Sequence, residues 1–183
     1  DPFKIVQAHS IMDKMLPIGN LCAKCAIDVA LHDVVAKKLG VPLYQILGGK
    51  TRDTYPTHVA TRPRNGDEMV SEIQQRVSEG FQVLKVKLSG KADEDLVLIK
   101  YLLDNISEDV LLNLDVNQGW NVYESIRIVD QLANYPSYRN NLMIEQPIRS
   151  QDLDGLAFIT KQSAIPIIAD DAVCTKEQAL EVI

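Results

Sequence analysis

Short apolar runs alternate with amphipathic segments along most of this chain, and this repeat leaves few folds open to it. The runs are rich in β-branched and apolar residues, and successive runs begin 25 to 30 residues apart. They cover Thr54–Thr61, Val83–Leu88, Leu111–Asn117, Asn141–Pro147 and Pro166–Asp170. Between them, apolar residues recur at helical spacing, as at Met69, Ile73 and Val77. Strands and helices that alternate in this way predict parallel strands joined by right-handed crossovers.

Two architectures contain such units, an open doubly wound sheet and a closed (β/α)8 barrel. A doubly wound dinucleotide-binding sheet usually has a Gly-rich turn after its first strand, and this sequence has none there. Charged residues stand instead at the strand ends, where barrel enzymes carry their functional side chains. We therefore predict an α/β fold of the (β/α)8 TIM-barrel type, incomplete here, with about five βα units.

Composition and charge exclude several classes of partner. The chain has 19 basic and 25 acidic residues and a formal net charge of −6, without a basic stripe, so nucleic acid is a poor candidate. No apolar run approaches the roughly 20 residues that a membrane helix needs. We therefore expect neither a nucleic-acid nor a membrane partner.

The three cysteines bear on the cellular compartment. Cys22 and Cys25 form a CxxC pair, which is typical of a redox site or of half a zinc site, but no further zinc ligands are spaced to complete it. Both lie in a helical stretch from about 19 to 39, on its apolar stripe, so we predict buried side chains. The odd number of cysteines favours a reducing compartment and hence a cytoplasmic location.

Two lysines stand two residues apart within the second apolar run. Side chains at this spacing point to the same side of a strand, so Lys85 and Lys87 share a face, which we expect to be the barrel interior. Mutual repulsion and burial would each lower the pKa of these lysines, and a lysine of lowered pKa can act as a base near neutral pH. The alternative is an exposed edge strand with two solvated lysines.

The next three strands each end in an acidic residue, namely Asp115, Glu145 and Asp170. Any one of them could cap the following helix, but three at equivalent positions favour a shared site. Three carboxylates from adjacent strands suit Mg²⁺, with Mn²⁺ as the alternative ion. A lysine base that faces a carboxylate-bound dication is typical of proton abstraction α to a carboxylate through an ene-diolate.

A known family has the same motifs in the same order. They are Ala26–Asp33, Lys38–Leu43, Leu47–Gly49, Gly80–Lys87, Leu114–Trp120, Ile144–Pro147 and Ile168–Asp171. Over nearly its whole length the chain resembles the mandelate racemase and muconate-lactonizing branch of the enolase superfamily, and its KxK strand resembles the muconate-lactonizing subgroup. One departure is Asp171, since the family usually has Glu after its third metal ligand.

The resemblance implies a role for each site residue. Lys87 would be the acid/base residue, and Lys85 would lower the pKa of Lys87 and contact the substrate carboxylate. Mg²⁺ would be held by Asp115, Glu145 and Asp170, with Asp171 supporting them, and Asn117 would help to position ligand or substrate. Arg62, which follows the first strand at the catalytic end, would either meet a substrate anion or be a solvated loop residue.

The resemblance also implies a domain organisation and a reaction class. Residues 1–50 would be the end of an N-terminal α+β capping domain, namely its last helix, with the linker that follows. Residues 51–183 would be a partial barrel catalytic domain. The sequence begins without Met, so we expect it to start within a longer chain. The full-length protein would be a homo-oligomer that acts on a small carboxylate.

Several activities remain open at this point. We favour a racemase or epimerase of an amino-acid derivative, because a lysine pair on one face suits two-base chemistry. A dehydratase or cycloisomerase of a small hydroxy or unsaturated acid is the alternative within the family. An inactive barrel fragment, which folds only in an assembly, is the alternative of another class.

Overall fold

The computed structural model describes residues 1–16, 19–62 and 64–183. These residues form two compact units, Asp1–Tyr55 and Pro56–Ile183. Among the described residues, no helix combines the length and the apolar character needed to cross a membrane.

The first unit is helical. Its helices are α1 (Ile5–Met15), α2 (Leu21–Leu39) and α3 (Leu43–Ile46). Helix α2 ends at Gly40, whose φ of 70° is a left-handed conformation that glycine adopts without a steric penalty. Helices α1 and α2 pack against each other, and the buried apolar residues among those described in this unit are Met12, Val35 and Ala36.

The prediction of buried cysteines is wrong. Cys22 and Cys25 are both exposed, as are their helix neighbours Leu21 and Val29. Helical spacing identifies an apolar face, but burial also requires a neighbouring element to cover that face. Within this unit α2 buries only its C-terminal part, at Val35 and Ala36.

The second unit contains five βα repeats. Its strands are β1 (His58–Ala60), β2 (Val83–Lys87), β3 (Leu111–Asp115), β4 (Leu142–Glu145) and β5 (Ile167–Ile168). Its helices are α4 (Gly66–Ser78), α5 (Ala92–Asn105), α6 (Val122–Ala133), α7 (Leu153–Gln162) and α8 (Lys176–Val182). The strands pair in chain order and every pair is parallel. This is the arrangement expected of an incomplete (β/α)8 barrel, so the predicted fold class is confirmed.

The main core lies between this sheet and its helices. It is built from residues that alternate along the strands, such as Leu84 and Val86 on β2, together with helix residues such as Ile99 and Ile128. All four of these side chains are fully buried. Because side chains alternate along a strand, burial of Leu84 and Val86 on the helix side directs the intervening residues to the opposite face.

Candidate active site

Strand register brings the lysine pair and two of the carboxylates together. The parallel pairing of β2, β3 and β4 places Lys87 beside Asp115 and Asp115 beside Glu145, in one row across three strands. Lys85 lies beside Asn113 in the row two residues earlier. All five residues therefore project from the face opposite the helix-packed core, at the carboxyl ends of the strands.

These side chains form a continuous network of charged contacts. The Lys85 Nζ lies 2.6 Å from Glu145 Oε1 and 3.0 Å from Asp115 Oδ2. The Lys87 ammonium donates to the same Asp115 Oδ2. Asp115 is completely buried, and the side chains of Lys85 and Lys87 are 15% and 36% exposed. Lys87 is thus the lysine that a solute can reach.

The prediction that the pKa of Lys85 is lowered is wrong. Burial does lower this pKa, but hydrogen bonds and attraction from Glu145 and Asp115 outweigh burial, and the pKa is raised. Burial likewise raises the pKa of Asp115, and its hydrogen bonds from Lys87 and Lys85 reverse this, so the pKa of Asp115 lies below its usual range. The expectation considered only the two lysines and omitted the carboxylates that the neighbouring strands bring to them.

Asp170 is in a different environment from the other two carboxylates. It lies two residues beyond β5 and is exposed. Its backbone N–H donates to Gln146 Oε1, and its backbone carbonyl accepts from the N–H of Val173. Its pKa is raised by partial burial and by the negative charges of Glu145 and Asp171 nearby. The negative charges around Asp170 thus outweigh the positive charge of Lys85.

The donor chemistry of this cluster fits a hard dication. Oxygen ligands from three adjacent strand ends are the set that Mg²⁺ prefers, and Asp170 stands in a surplus of negative charge. Among the described residues, however, no three acidic, histidine or cysteine side chains are already arranged as a complete metal site. In this arrangement the ammonium of Lys85 forms ion pairs with both Asp115 and Glu145.

The remaining predicted residues lie around this cluster. Strand β3 ends at Asp115, and Asn117 beyond it has a φ of 49°. The alternation of side chains along the strand therefore does not determine which way the Asn117 side chain points. The backbone N–H of Asn117 donates to Asp115 Oδ1 at 3.0 Å. Asp171 accepts a hydrogen bond from Gln118 Nε2 at 2.7 Å. Arg62 is exposed after β1 and makes none of the described contacts with the lysine–carboxylate network.

Asn113 belongs to the network but was not predicted from the sequence. Its Nδ2 donates to Glu145 Oε2 at 2.5 Å, and only 6% of the residue is exposed. The available signal was a polar residue two positions before Asp115 in an otherwise apolar strand. By fixing one oxygen of Glu145, Asn113 leaves the other to face Lys85.

Asp95, on α5, is a second polar residue that was not predicted. This buried carboxylate accepts hydrogen bonds from the backbone N–H groups of Ser89 and Gly90, from Ser89 Oγ, and from Trp120 Nε1, at 2.8 to 3.0 Å. It thereby joins the loop after β2 to the loop after β3. Trp120 itself is buried.

A cavity opens next to the exposed lysine. It has a volume of about 530 Å³ and is lined by Lys87, Arg64, Ser89 and Tyr101, among others. Lys87 therefore borders open space as well as the carboxylate network.

Comparisons with known proteins bear on this site. Residues 68–183 match the family model described as "Enolase C-terminal domain-like", and residues 1–48 match "Mandelate racemase / muconate lactonizing enzyme, N-terminal domain". An L-Ala-D/L-Glu epimerase from Bacillus subtilis is 36% identical over 90% of this chain and 44% of its own length.

Two solved structures share the fold closely. A dipeptide epimerase from Enterococcus faecalis, complexed with Mg and the dipeptide L-Leu-L-Tyr, has a TM-score of 0.89 and 31% identity, covering 99% of this chain and 49% of its own. A 2-chloromuconate cycloisomerase from Rhodococcus opacus has a TM-score of 0.90 and 31% identity, covering 100% and 48%. The chain spans about half the length of the curated relatives it matches.

Proposed function

The chain belongs to the mandelate racemase / muconate lactonizing enzyme family of the enolase superfamily, and on this premise we propose that the protein carrying it is a magnesium-dependent racemase or epimerase of amino-acid derivatives, dipeptides included. The observation that carries the proposal is the row of Lys87, Asp115 and Glu145 across three strands, with Lys85 bridging the two carboxylates. Relatives that epimerise dipeptides support the substrate class.

In this proposal Lys87 moves the proton. When neutral, its Nζ removes the α-proton from one epimer of the substrate, and a second acid/base group on the opposite face would then deliver the proton that completes inversion. In the reverse direction the protonated Nζ delivers the proton, and Lys87 is the more exposed lysine of the pair. Asp115 accepts a hydrogen bond from Lys87 and so holds the Nζ at the carboxyl end of the strands. The carboxylate of the substrate would be met by the positive charge of Lys85.

Asp115, Glu145 and Asp170 are the proposed ligands of Mg²⁺. When bound, the ion would supply positive charge that stabilises the negative charge developing on the substrate carboxylate. Asn113 orients Glu145 through a hydrogen bond, and Asp171 is held by Gln118 beside Asp170. Asn117 and Arg62 are proposed substrate contacts at the rim of the site.

The experiment measures α-proton exchange by the whole protein that carries this chain. The protein is incubated with Mg²⁺ in D₂O and a panel of dipeptides and N-acylated amino acids, and loss of the α-proton signal is followed by NMR. We expect at least one substrate to lose this signal and to yield both epimers. Absence of exchange with every member of the panel would count against the racemase assignment.

A cycloisomerase is the second candidate, favoured by the TM-score of 0.90 with the 2-chloromuconate cycloisomerase. The same lysine pair would then exchange a proton with an unsaturated diacid. A muconate included in the panel separates the two functions, because its lactonisation without α-proton exchange on any amino-acid derivative would select the cycloisomerase.

Two further expectations stand as parts of the proposal. We assign residues 1–50 to the end of the capping domain and its linker and residues 51–183 to the catalytic barrel, and we expect a cytoplasmic homo-oligomer. Light scattering on the whole protein, coupled to size-exclusion chromatography, would give the oligomeric state.

A further inference from the structure

Gln146, which follows the proposed ligand Glu145, is completely buried and uses both ends of its side-chain amide. The Oε1 accepts hydrogen bonds from the backbone N–H groups of Asp170 at 2.8 Å and Ala172 at 3.1 Å. The Nε2 donates to the carbonyl oxygen of Ile148 at 3.0 Å. One side chain therefore ties the loop after β4 to the turn that carries Asp170.

Gln118, which follows β3, makes the corresponding link on the other side. Its backbone N–H donates to the carbonyl oxygen of Gln146 at 2.7 Å. Its side-chain Nε2 donates to Asp171 Oδ2 at 2.7 Å, and its Oε1 accepts from the backbone N–H of Ser150 at 2.9 Å. The ends of β3, β4 and β5 are thus connected by contacts of two glutamines.

The backbone conformation of Gln118 and Gln146 indicates that both residues have a functional role. Gln118 and Gln146 have φ values of 66° and 40°, in the left-handed region that residues other than glycine rarely occupy. Such conformations persist where surrounding contacts over-determine them, and they concentrate at functional sites. With this backbone conformation, the side chains of Gln118 and Gln146 both reach the turn after β5, where they contact Asp171 and Asp170.

Strand pairing alone does not position Asp170. Strands β4 and β5 pair at only two positions, Ile144 with Ile167 and Glu145 with Ile168, and Asp170 lies beyond the second. Beyond Ile168 the backbone N–H groups of Asp170 and Ala172 donate to the side chain of Gln146, and these bonds replace the hydrogen bonds between paired strands.

We propose that Gln146 and Gln118 are positioning residues that fix Asp170 relative to Glu145 and Asp115 and so set the affinity of the site for a divalent cation. The inference rests on the proposed function, since it takes these three carboxylates as the ligands. Neutral amides suit this place, because each can accept and donate hydrogen bonds without adding charge to the acidic cluster.

The test measures Mn²⁺ binding to the whole protein, with free Mn²⁺ quantified by electron paramagnetic resonance and no substrate present. Gln146→Met keeps the side-chain length but loses every polar contact, and we expect it to weaken Mn²⁺ binding about tenfold or more. Gln131→Met, at an exposed helix position, is the matched control and should bind as the parent does.

Gln118→Met extends the test to the partly exposed glutamine and remains available if Gln146→Met fails to fold. We expect it to weaken Mn²⁺ binding about threefold. Circular dichroism establishes folding, so affinity is compared among folded proteins. The inference is overturned if a folded Gln146→Met or Gln118→Met protein binds Mn²⁺ as tightly as the parent, even at a lowered melting temperature. Absence of Mn²⁺ binding by the parent would instead overturn the proposed function.

Discussion

The central and outer strands of one sheet hold their functional residues in different ways. Strands β2, β3 and β4 have five, five and four residues, whereas β1 and β5 have three and two. On the central strands Lys85, Lys87, Asp115 and Glu145 contact one another directly. Beyond the outer strands Arg62 and Asp170 are exposed and lie outside this network.

The difference shows where the geometry of the site originates. A strand paired on both sides fixes the direction of each side chain, so residues in one row meet without help from loops. Asp170 lies past its short strand, and its backbone depends on Gln146. The sheet therefore positions the lysine pair, Asp115 and Glu145, whereas polar contacts within loops position Asp170.

The largest expected contrast is between Asp115→Asn and Asp170→Asn in protein freed of metal with chelator. Removal of the Asp115 charge leaves Lys85 and Lys87 without their shared partner and should lower the free energy of unfolding by about 4 kcal/mol. Asp170 is exposed beside other acids, so its replacement should change the free energy of unfolding by less than about 0.5 kcal/mol. Urea unfolding measures both, and equal losses would refute the contrast.

Gly119→Ala tests how closely the loops after β2 and β3 approach. A Cβ at this position would overlap the Cα of Gly90, so the backbone of one loop must shift. We expect a loss of about 3 kcal/mol in the free energy of unfolding. The control is Gly80→Ala, since a Cβ added there would have no heavy atom within 4 Å apart from its chain neighbours. Only the φ of 99° is unfavourable for alanine at this position, and we expect a cost of about 1 kcal/mol.

Asp95→Asn tests the hydrogen bonds that join the same two loops. In either orientation the NH2 group of asparagine would face at least one buried N–H donor and leave it unsatisfied, which should cost about 2 kcal/mol. Asp93→Asn is the matched control, because Asp93 is a largely exposed residue of the same helix turn that pairs with Arg127. Thermal unfolding followed by circular dichroism compares the two, and we expect the control to resemble the parent.

The smallest expected effect is on the pH dependence of stability. The pKa of Lys85 is raised in the folded protein, so its ion pairs stabilise the fold below about pH 10.4 and lose that effect as the pH rises through the raised value. The stability difference between the parent and Lys85→Met should therefore be larger at pH 8 than at pH 11. Lys161→Met, at an exposed position, should show no such change. If the stability difference between the parent and Lys85→Met is the same at both pH values, the charge of Lys85 does not stabilise the fold.

Local patterns in the sequence were sufficient to predict the architecture. All five strands lie within the predicted apolar runs, because burial on the helix side imposes alternation that can be read directly, as at Leu84 and Val86. The same alternation correctly placed Lys85 and Lys87 on one face. Each of these features depends on residues that are near one another in the chain.

Features that depend on distant residues could not be predicted in this way. The pKa of Lys85 rises because of Glu145, which is 60 residues away in the chain. The exposure of Cys25 depends on which element covers its helix face, and spacing within the helix cannot show that. Asp95 and Gln146 resembled ordinary polar loop or helix residues until the fold placed backbone N–H groups around them.

The central claim, that Lys87 on the paired strands is the proton-transfer residue, is tested most directly by deuterium exchange at the substrate α-carbon. The whole protein is compared with Lys87→Gln and with Lys161→Gln as an exposed-lysine control, using each enantiomer of the best substrate in D₂O with Mg²⁺. We expect Lys87→Gln to slow exchange about 10³-fold for at least one enantiomer, and we expect the control to match the parent. Exchange of both enantiomers at the parental rate in Lys87→Gln would contradict the central claim.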